Sequence, residues 1–310
     1  MGYCARLTTS RQATVFRPAK CRRVPAGRST GDSKSNMKQY KNCALILGAH
    51  GSMAATDSNQ PLHDLAAAIA IKDIFATVTP AFLNGLPEMN DFIRLLPPAN
   101  AVENIIVVPA MTSVGYYLQN VIPKRLAENP QHDQYRLFIS PVIGMHKKIA
   151  SLIIQRAEQM LQQENLDANN TTIALIGHGT RRNANSSKST YDLLQQLKDL
   201  RPELNYEIAF LDQDPEADAV AKSISTRHKL VVPFLISRGP HTTVDIPKAF
   251  GLPSGPDVRF PNRATNDDGD VCICDLPIGM YPQIADLCIE MAIAELEQGT
   301  PVVLPELTAS

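Results

Sequence analysis

Thr172-Ile-Ala-Leu-Ile-Gly-His-Gly-Thr180 is a short apolar run that stops abruptly at Gly177-His178-Gly179. Such a run, closed by glycines and followed by a polar segment, predicts a buried strand that enters a loop and then a helix. His178 is thereby placed at the C-terminal end of a strand, the edge at which open α/β sheets bind ligands. The phrase also occurs earlier, as Cys43-Ala-Leu-Ile-Leu-Gly-Ala-His-Gly-Ser52. A strand that ends in a glycine-flanked histidine is used twice.

Working outward, the chain alternates apolar strands with helical stretches, the pattern of βαβ units and a parallel sheet. The first half predicts strands at 44–47, 77–83, 104–109 and 137–141, and helices at 63–75, 87–95, from about 121, and at 146–163. A polar, Asn-rich stretch at 162–170 reads as a linker, after which the cycle restarts. Ala209-Phe-Leu-Asp-Gln-Asp-Pro-Glu216 repeats Ala81-Phe-Leu-Asn-Gly-Leu-Pro-Glu88 at the same offset of 128 that aligns His178 with His50. Val231-Val-Pro233 repeats Val107-Val-Pro109, Asp245-Ile-Pro-Lys248 answers Val121-Ile-Pro-Lys124, and Ile278-Gly-Met280 answers Ile143-Gly-Met145. Repeats of this length are duplicated domains, not solenoid units. Two homologous α/β lobes are expected, at about 42–163 and 171–300. The second carries eleven extra residues between its Ile-Pro and Ile-Gly-Met phrases. They read as a surface loop with an acidic tip, and Asp267, Asp268 and Asp270 lack the full spacing of a calcium loop.

The 310 residues are 44% hydrophobic and 20% charged with a formal net charge of −1, so no global field argues for nucleic acid or an anionic membrane. No apolar run approaches the roughly 20 residues that span a bilayer. Six scattered cysteines suggest a reducing compartment. Cys272, Cys274 and Cys288 lie on an apolar strand and an apolar helix, where core packing is the expected role. Residues 1–41 carry ten Lys/Arg and a single acid, Asp32, without apolar periodicity. A disordered basic tail is expected over 1–41 in either of two readings: an organelle transit peptide, or an extension or arm upstream of a natural start at Met37. The expected location is cytoplasmic, or an organelle if residues 1–36 are a transit peptide.

Three polar residues of the second half fall at predicted strand ends: His178 after the first, Asp212 after the second and His241 after the third. In a parallel sheet such ends share one edge, so two imidazoles and a carboxylate are expected to converge. That set suits a borderline divalent metal such as Co, Ni, Fe or Zn. Imidazole, with an ordinary pKa of about 6.5, also exchanges protons near neutrality. The matching residues of the first half are His50, Asn84 and Tyr117, a poor metal set. Tyr116 and Tyr117 could stack on a flat ligand. Arg181, Arg182, Lys188, Arg238 and Lys248 would suit a polyanionic ligand. His63, His132 and His228 read as surface or capping residues, and His146 stays open.

These phrases resemble the class II chelatase family, the sirohydrochlorin cobalto-, nickelo- and ferrochelatases. The resemblance rests on Gly177-His-Gly-Thr180, Ala209-Phe-Leu-Asp212, Val231-Val-Pro233 and Gly239-Pro-His-Thr-Thr-Val-Asp-Ile-Pro247, and covers most of 42–297 as two tandem copies. It implies two chelatase-like lobes facing across a cleft that holds a tetrapyrrole. It implies His178 and His241 as metal-binding and catalytic residues, with Asp212 as the assisting acid where the family usually has Glu. Arg181, Arg182, Arg238, Tyr116, Tyr117 and His50 are the expected substrate-binding residues. A divalent metal (Co, Fe or Ni) is then a substrate, with no further cofactor, nucleic acid or membrane partner. A monomer with pseudo-dimeric lobes is expected over an obligate oligomer.

The alternative from another class is a non-catalytic tetrapyrrole or metal carrier derived from a chelatase, which the altered first lobe favours. A histidine phosphatase would need an arginine before His178, where Gly177 stands.

Overall fold

The computed structural model describes residues 40–53, 56–97, 101–180 and 185–305. Residues 1–39 of the basic leader, and Arg181 and Arg182, lie outside them. The first half forms β1 (Cys43–Ala49), α1 (Gln60–Ala70), β2 (Thr77–Phe82) and β3 (Asn104–Pro109). A π-turn (Tyr117–Val121) then runs into α2 (Ile122–Ala127), followed by β4 (Arg136–Ile139) and α3 (Ile149–Gln163). The second half gives β5 (Thr171–Gly177), α4 (Asn185–Leu200), β6 (Asn205–Phe210), α5 (Ala217–Ser223) and β7 (His228–Pro233). A second π-turn (His241–Asp245) runs into α6 (Ile246–Ala249), and β8 (Asn262–Thr265), β9 (Val271–Cys274) and α7 (Ile284–Gln298) complete it.

Helix boundaries differ from the sequence expectation for local reasons. Helix α1 starts at Gln60, with Pro61 in its first turn, and ends well before Phe75. Asp73 takes a left-handed φ of 55° just past its end. The helix expected over 87–95 is only a 3₁₀ turn at Phe92–Leu95.

The first sheet has the order β2-β1-β3-β4 and is parallel throughout. The second has the order β6-β5-β7-β9-β8, parallel except for β8. Strands β1 and β5 are buried along their whole length, which explains their unbroken apolar runs: both faces are covered. Successive residues serve different layers, as the pleat requires. Leu45 and Leu47, like Ile173 and Leu175, enter one apolar layer that joins both halves. Ala44 and Ile46 face an outer layer with Phe92, Ile122 and Leu126. Ala174 and Ile176 face the equivalent layer with Val220 and Ile246. Each fully buried Leu or Ile of these layers contributes roughly 1.5–3 kcal/mol.

The middle layer holds side chains of α1, α3, α4 and α7, and the packing does not divide where the sequence repeat does. Helix α7, the last helix of the second repeat, packs on β3 and β4 of the first sheet. It is tied there by Lys72–Asp286 (2.6 Å) and by the Lys148–Glu290 and Tyr40–Glu297 pairs. Beyond it, the Val302 N–H donates to the Leu137 carbonyl of β4 at 2.7 Å. Helix α3, the last of the first repeat, in turn packs against α4. Its Arg156 binds Asp275, immediately after β9.

The insertion of the second repeat is not the plain loop expected. It folds as a hairpin in which β8 pairs antiparallel with β9 and forms the sheet edge. Asn266 organises its tip by accepting from the N–H groups of Asp268 and Asp270. The Arg227 guanidinium binds Asp270 at 2.9 Å and holds its carboxyl below the usual range. The Asp270 carboxylate thus serves the turn.

The two Ile-Gly-Met phrases have a packing reason. A side chain at Gly144 would collide with the backbone of Thr112, and one at Gly279 with the backbone of Ile236. Ile236 begins the loop that carries His241. Gly279→Ala is therefore expected to cost about 1–3 kcal/mol or more by overpacking. Chemical denaturation read against a distant Ala control checks this. An unchanged midpoint would show that the loop gives way freely.

Candidate functional site

In each sheet the strand order reverses beside the first strand of the repeat. The crevice at that switch point is bounded by the loops after β1 and β3 in one half, and after β5 and β7 in the other. Those four loops carry His50, Tyr117, His178 and His241. The histidine loops turn in the same way. Gly51 and Gly179, directly after each histidine, take φ of 71° and 68°, which only glycine adopts without strain. The next strand's loop zips onto this turn. The Asn84 N–H donates to the His50 carbonyl at 2.8 Å, and the Asp212 N–H to the His178 carbonyl at 3.0 Å.

The side chains then diverge. The rings of His178 and His241 stand 4.9 Å apart, centroid to centroid, at 83°. His178 Nδ1 lies 2.8 Å from the Gly179 carbonyl oxygen, which can only accept, so Nδ1 carries the hydrogen. Asp212 Oδ2 is 3.3 Å from the same nitrogen. His241 Nδ1 lies 2.7 Å from Asp245 Oδ2, four residues along the π-turn. Both rings therefore offer Nε2 as the lone-pair nitrogen, and among the described residues neither Nε2 has a partner. Two imidazoles on one ion at about 2.1 Å, near a tetrahedral angle, place their centroids about 5 Å apart. The observed spacing matches that geometry. Both side chains are about half exposed, at 48% and 43%, so an ion can reach them.

The two imidazoles expected as metal ligands lie together, and Asp212, expected as the assisting acid, sits beside one of them. Asp212 lies against Nδ1 of His178, behind the lone-pair nitrogen. Among the described residues, no three His, Cys, Asp or Glu side chains converge as a metal site. Two imidazoles alone would leave most coordination positions of a divalent ion open.

In the first half, the Asn84 side-chain amide meets His50 Nε2 at 3.2 Å. Whichever way the amide is turned, the nitrogen that would bind a metal is engaged. Burial, and then the charge of His178, pull the His50 pKa below its ordinary value. His50 thus lies within electrostatic reach of His178. Tyr117 stands 4.7 Å from the His50 ring and 6.3 Å from Tyr116, and both phenols are largely exposed. The two halves approach closely here: the Ser58 side chain lies 3.8 Å from where a side chain on Gly239 would begin.

A family model described as CbiX matches the chain twice, over residues 44–160 and 172–295. The chain belongs to the CbiX family. A Halobacterium salinarum protein named "Probable sirohydrochlorin cobaltochelatase" is 28% identical over an alignment of 279 residues that covers 84% of this chain and 92% of that one. Among solved structures, a multi-domain Deinococcus radiodurans protein described as similar to chelatases aligns with a TM-score of 0.64 at 19% identity. That alignment covers 81% of this chain but only 55% of the Deinococcus protein. The sirohydrochlorin chelatase SirB from Bacillus subtilis subspecies spizizenii, solved with cobalt, aligns with a TM-score of 0.61 at 14% identity, covering 84% of this chain and all of SirB. At these identities the structural likeness is one of fold, and it agrees with the two mostly parallel, helix-flanked sheets found here.

The remaining expected residues of this CbiX chain find other settings. The Arg238 guanidinium bonds the Pro256 carbonyl and lies over the Phe260 ring, both on the insertion. Lys188 pairs with Asp192 along α4 at 2.6 Å. His63 and Tyr191 occupy equivalent positions, each ring 5.5 Å from the equivalent Phe82 or Phe210, which gives His63 a packing role. His228 Nδ1 accepts the Val271 N–H that starts β9. His146 Nδ1 accepts from the Lys148 N–H at the start of α3, and burial lowers its pKa. Burial pushes Cys272 and Cys288 up to about 12 and Cys274 higher still, so these thiols pack. No helix among the described residues is long and apolar enough to cross a membrane. Asp245 is the residue that sequence reasoning passed over. The signal was present: Gly239-Pro-His-Thr-Thr-Val-Asp245 differs from Gly115-Tyr-Tyr-Leu-Gln-Asn-Val121 at both the histidine and the acid.

Proposed function

We propose that this protein is a metallochelatase that inserts a divalent metal (Co, Fe or Ni) into sirohydrochlorin or a related tetrapyrrole. The observation that carries the reading is the pair of imidazoles 4.9 Å apart, each with Nδ1 held and Nε2 left for an ion. The printed names of the Halobacterium and Bacillus relatives support the substrate class.

In this reading residues 42–163 and 171–300 are the two lobes, and the second is the working one. The metal substrate sheds part of its hydration shell onto His178 and His241. The macrocycle lies between the lobes against Tyr116, Tyr117 and His50. Its carboxylates fall to basic side chains, with Arg181, Arg182 and Arg238 as the nearest in sequence to the histidines. Bending the ring exposes its pyrrole nitrogens, and the strain is offset by binding elsewhere on the macrocycle. Two N–H protons leave as the four ring nitrogens take up the dication, so charge balances without an oxidant or a nucleotide. Asp212, whose carboxylate lies 3.3 Å from His178 Nδ1, and the imidazoles, once the ion has left their Nε2 atoms, are the proton acceptors.

Mixing sirohydrochlorin with Co²⁺ and following visible absorbance, with and without the protein, tests this. A chelatase speeds formation of the metallated spectrum with turnover. A carrier, the reading that the altered first lobe favours, would shift the spectrum of the bound ring and leave the insertion rate where it was.

A further inference from the structure

We propose that Asp245 is a positioning residue for His241: its carboxylate holds the ring by Nδ1 and so presents Nε2 to the divalent metal substrate. This deepens the chelatase reading and rests on it.

Three observations exclude the ordinary structural roles of an acid at this place. First, Asp245 directly precedes α6, yet its side chain makes no capping bond to that helix. Its carboxylate goes instead to His241 Nδ1, at 2.7 Å. Second, the pair is half in solvent, with 43% and 50% of the two side chains exposed. Ion pairs so exposed contribute little to folding, so the contact does little for stability. Third, the first half supplies a natural control. It builds the same π-turn, at Tyr117–Val121, and runs it into the same Ile-Pro helix start, with Val121 in place of Asp245 and Tyr117 in place of His241. The turn therefore forms without the acid. Where the imidazole is gone, its carboxylate is gone too.

A carboxylate behind an imidazole fixes which ring nitrogen carries the hydrogen and how the ring is turned. His178 obtains the same result from the Gly179 carbonyl with Asp212 close by. The crevice thus holds two imidazoles whose hydrogen-bearing nitrogens are both tied back. In the π-turn, five residues that begin with His241 and end with Asp245 bring ligand and orienting group onto one side of a single turn of chain.

The test uses the full chain with Asp245→Ala, Asp245→Glu, His241→Ala and the double His241→Ala/Asp245→Ala. CoCl₂ is titrated calorimetrically without macrocycle, and insertion kinetics are measured separately for each substrate. Asp245→Ala is expected to weaken Co²⁺ binding about 10- to 100-fold, the range for loss of a group that orients a metal ligand. It should raise KM for Co²⁺ while KM for sirohydrochlorin and the thermal midpoint hold. Glu at this position should restore part of the affinity. In the His241→Ala background the second change should cost nothing more, because its only route of action is gone. Wild-type Co²⁺ affinity in Asp245→Ala, or an equal loss with and without His241, would overturn the proposal. If the unsubstituted protein neither binds Co²⁺ nor speeds insertion, the chelatase reading fails and the proposal falls with it.

Discussion

His241→Ala should abolish metal insertion, while His50→Ala should leave most of it. The asymmetry follows from what each ring's lone-pair nitrogen is doing. Nε2 of His241 has no partner among the described residues, and its ring stands 4.9 Å from that of His178. Removing it leaves one imidazole to hold an ion that two would grip, and removes a proton acceptor beside the pyrrole nitrogens. Loss of a positioned acid–base group alone slows reactions by about 10²- to 10⁴-fold. Nε2 of His50 is already engaged by Asn84 at 3.2 Å, so its ring can touch the macrocycle but cannot bind the ion in the same way. A loss within about tenfold, expressed in KM for the tetrapyrrole, is the scale expected for one binding contact worth roughly 1 kcal/mol. Steady-state insertion of Co²⁺ by both variants decides the matter. Equal losses would mean that the first half takes part in the chemistry and that the assignment of a single working half is wrong.

Arg156→Ala should destabilise the whole protein by about 3 kcal/mol, the low end for breaking a buried ion pair. Asp275 has no solvent exposure, whereas Arg156 keeps 27% of its side chain in water, which is why the low end applies. The guanidinium makes three contacts with the carboxylate, at 2.8, 2.9 and 3.1 Å, and the Tyr281 hydroxyl donates a fourth at 2.9 Å. Burial and this carboxylate drive the Tyr281 phenol far above its ordinary pKa, so it remains a donor. Without Arg156 a carboxylate is left in the interior with one neutral partner. Urea denaturation of the single variant, beside Arg156→Met/Asp275→Leu, separates charge from packing. The double variant should recover much of the loss, since apolar replacement of a buried pair is often close to neutral. If Arg156→Ala unfolds at the wild-type midpoint, the pair contributes nothing to joining the halves. The location of the pair makes the effect global: it fastens α3 of the first repeat to the end of β9 in the second.

Much of this arrangement was legible in the chain, and the limits are instructive. The two strand-to-His-Gly phrases were readable because a strand covered on both faces must be apolar throughout, and because the residue after the histidine needs a positive φ. Repeated phrases at a constant offset then marked the duplication. The register of the insertion was not readable: Asn262-Arg-Ala-Thr265 has no apolar alternation, and it becomes a strand only because β9 leaves an edge to pair with. The exchange of terminal helices was equally hidden. Helix α7 is apolar on a face that either sheet could cover, and nothing local says which one does.

The sequence by itself determined two α/β repeats and set histidines at the ends of strands, because burial on both faces and backbone sterics act over a few neighbouring residues. Only the tertiary structure decided that the imidazoles of His178 and His241 meet, that their Nδ1 atoms are tied back by Gly179 and Asp245, and that each repeat leans on the other's last helix. Those outcomes depend on distances between segments far apart in the chain. Such distances are fixed by how sheets and helices pack, and local preferences do not encode them.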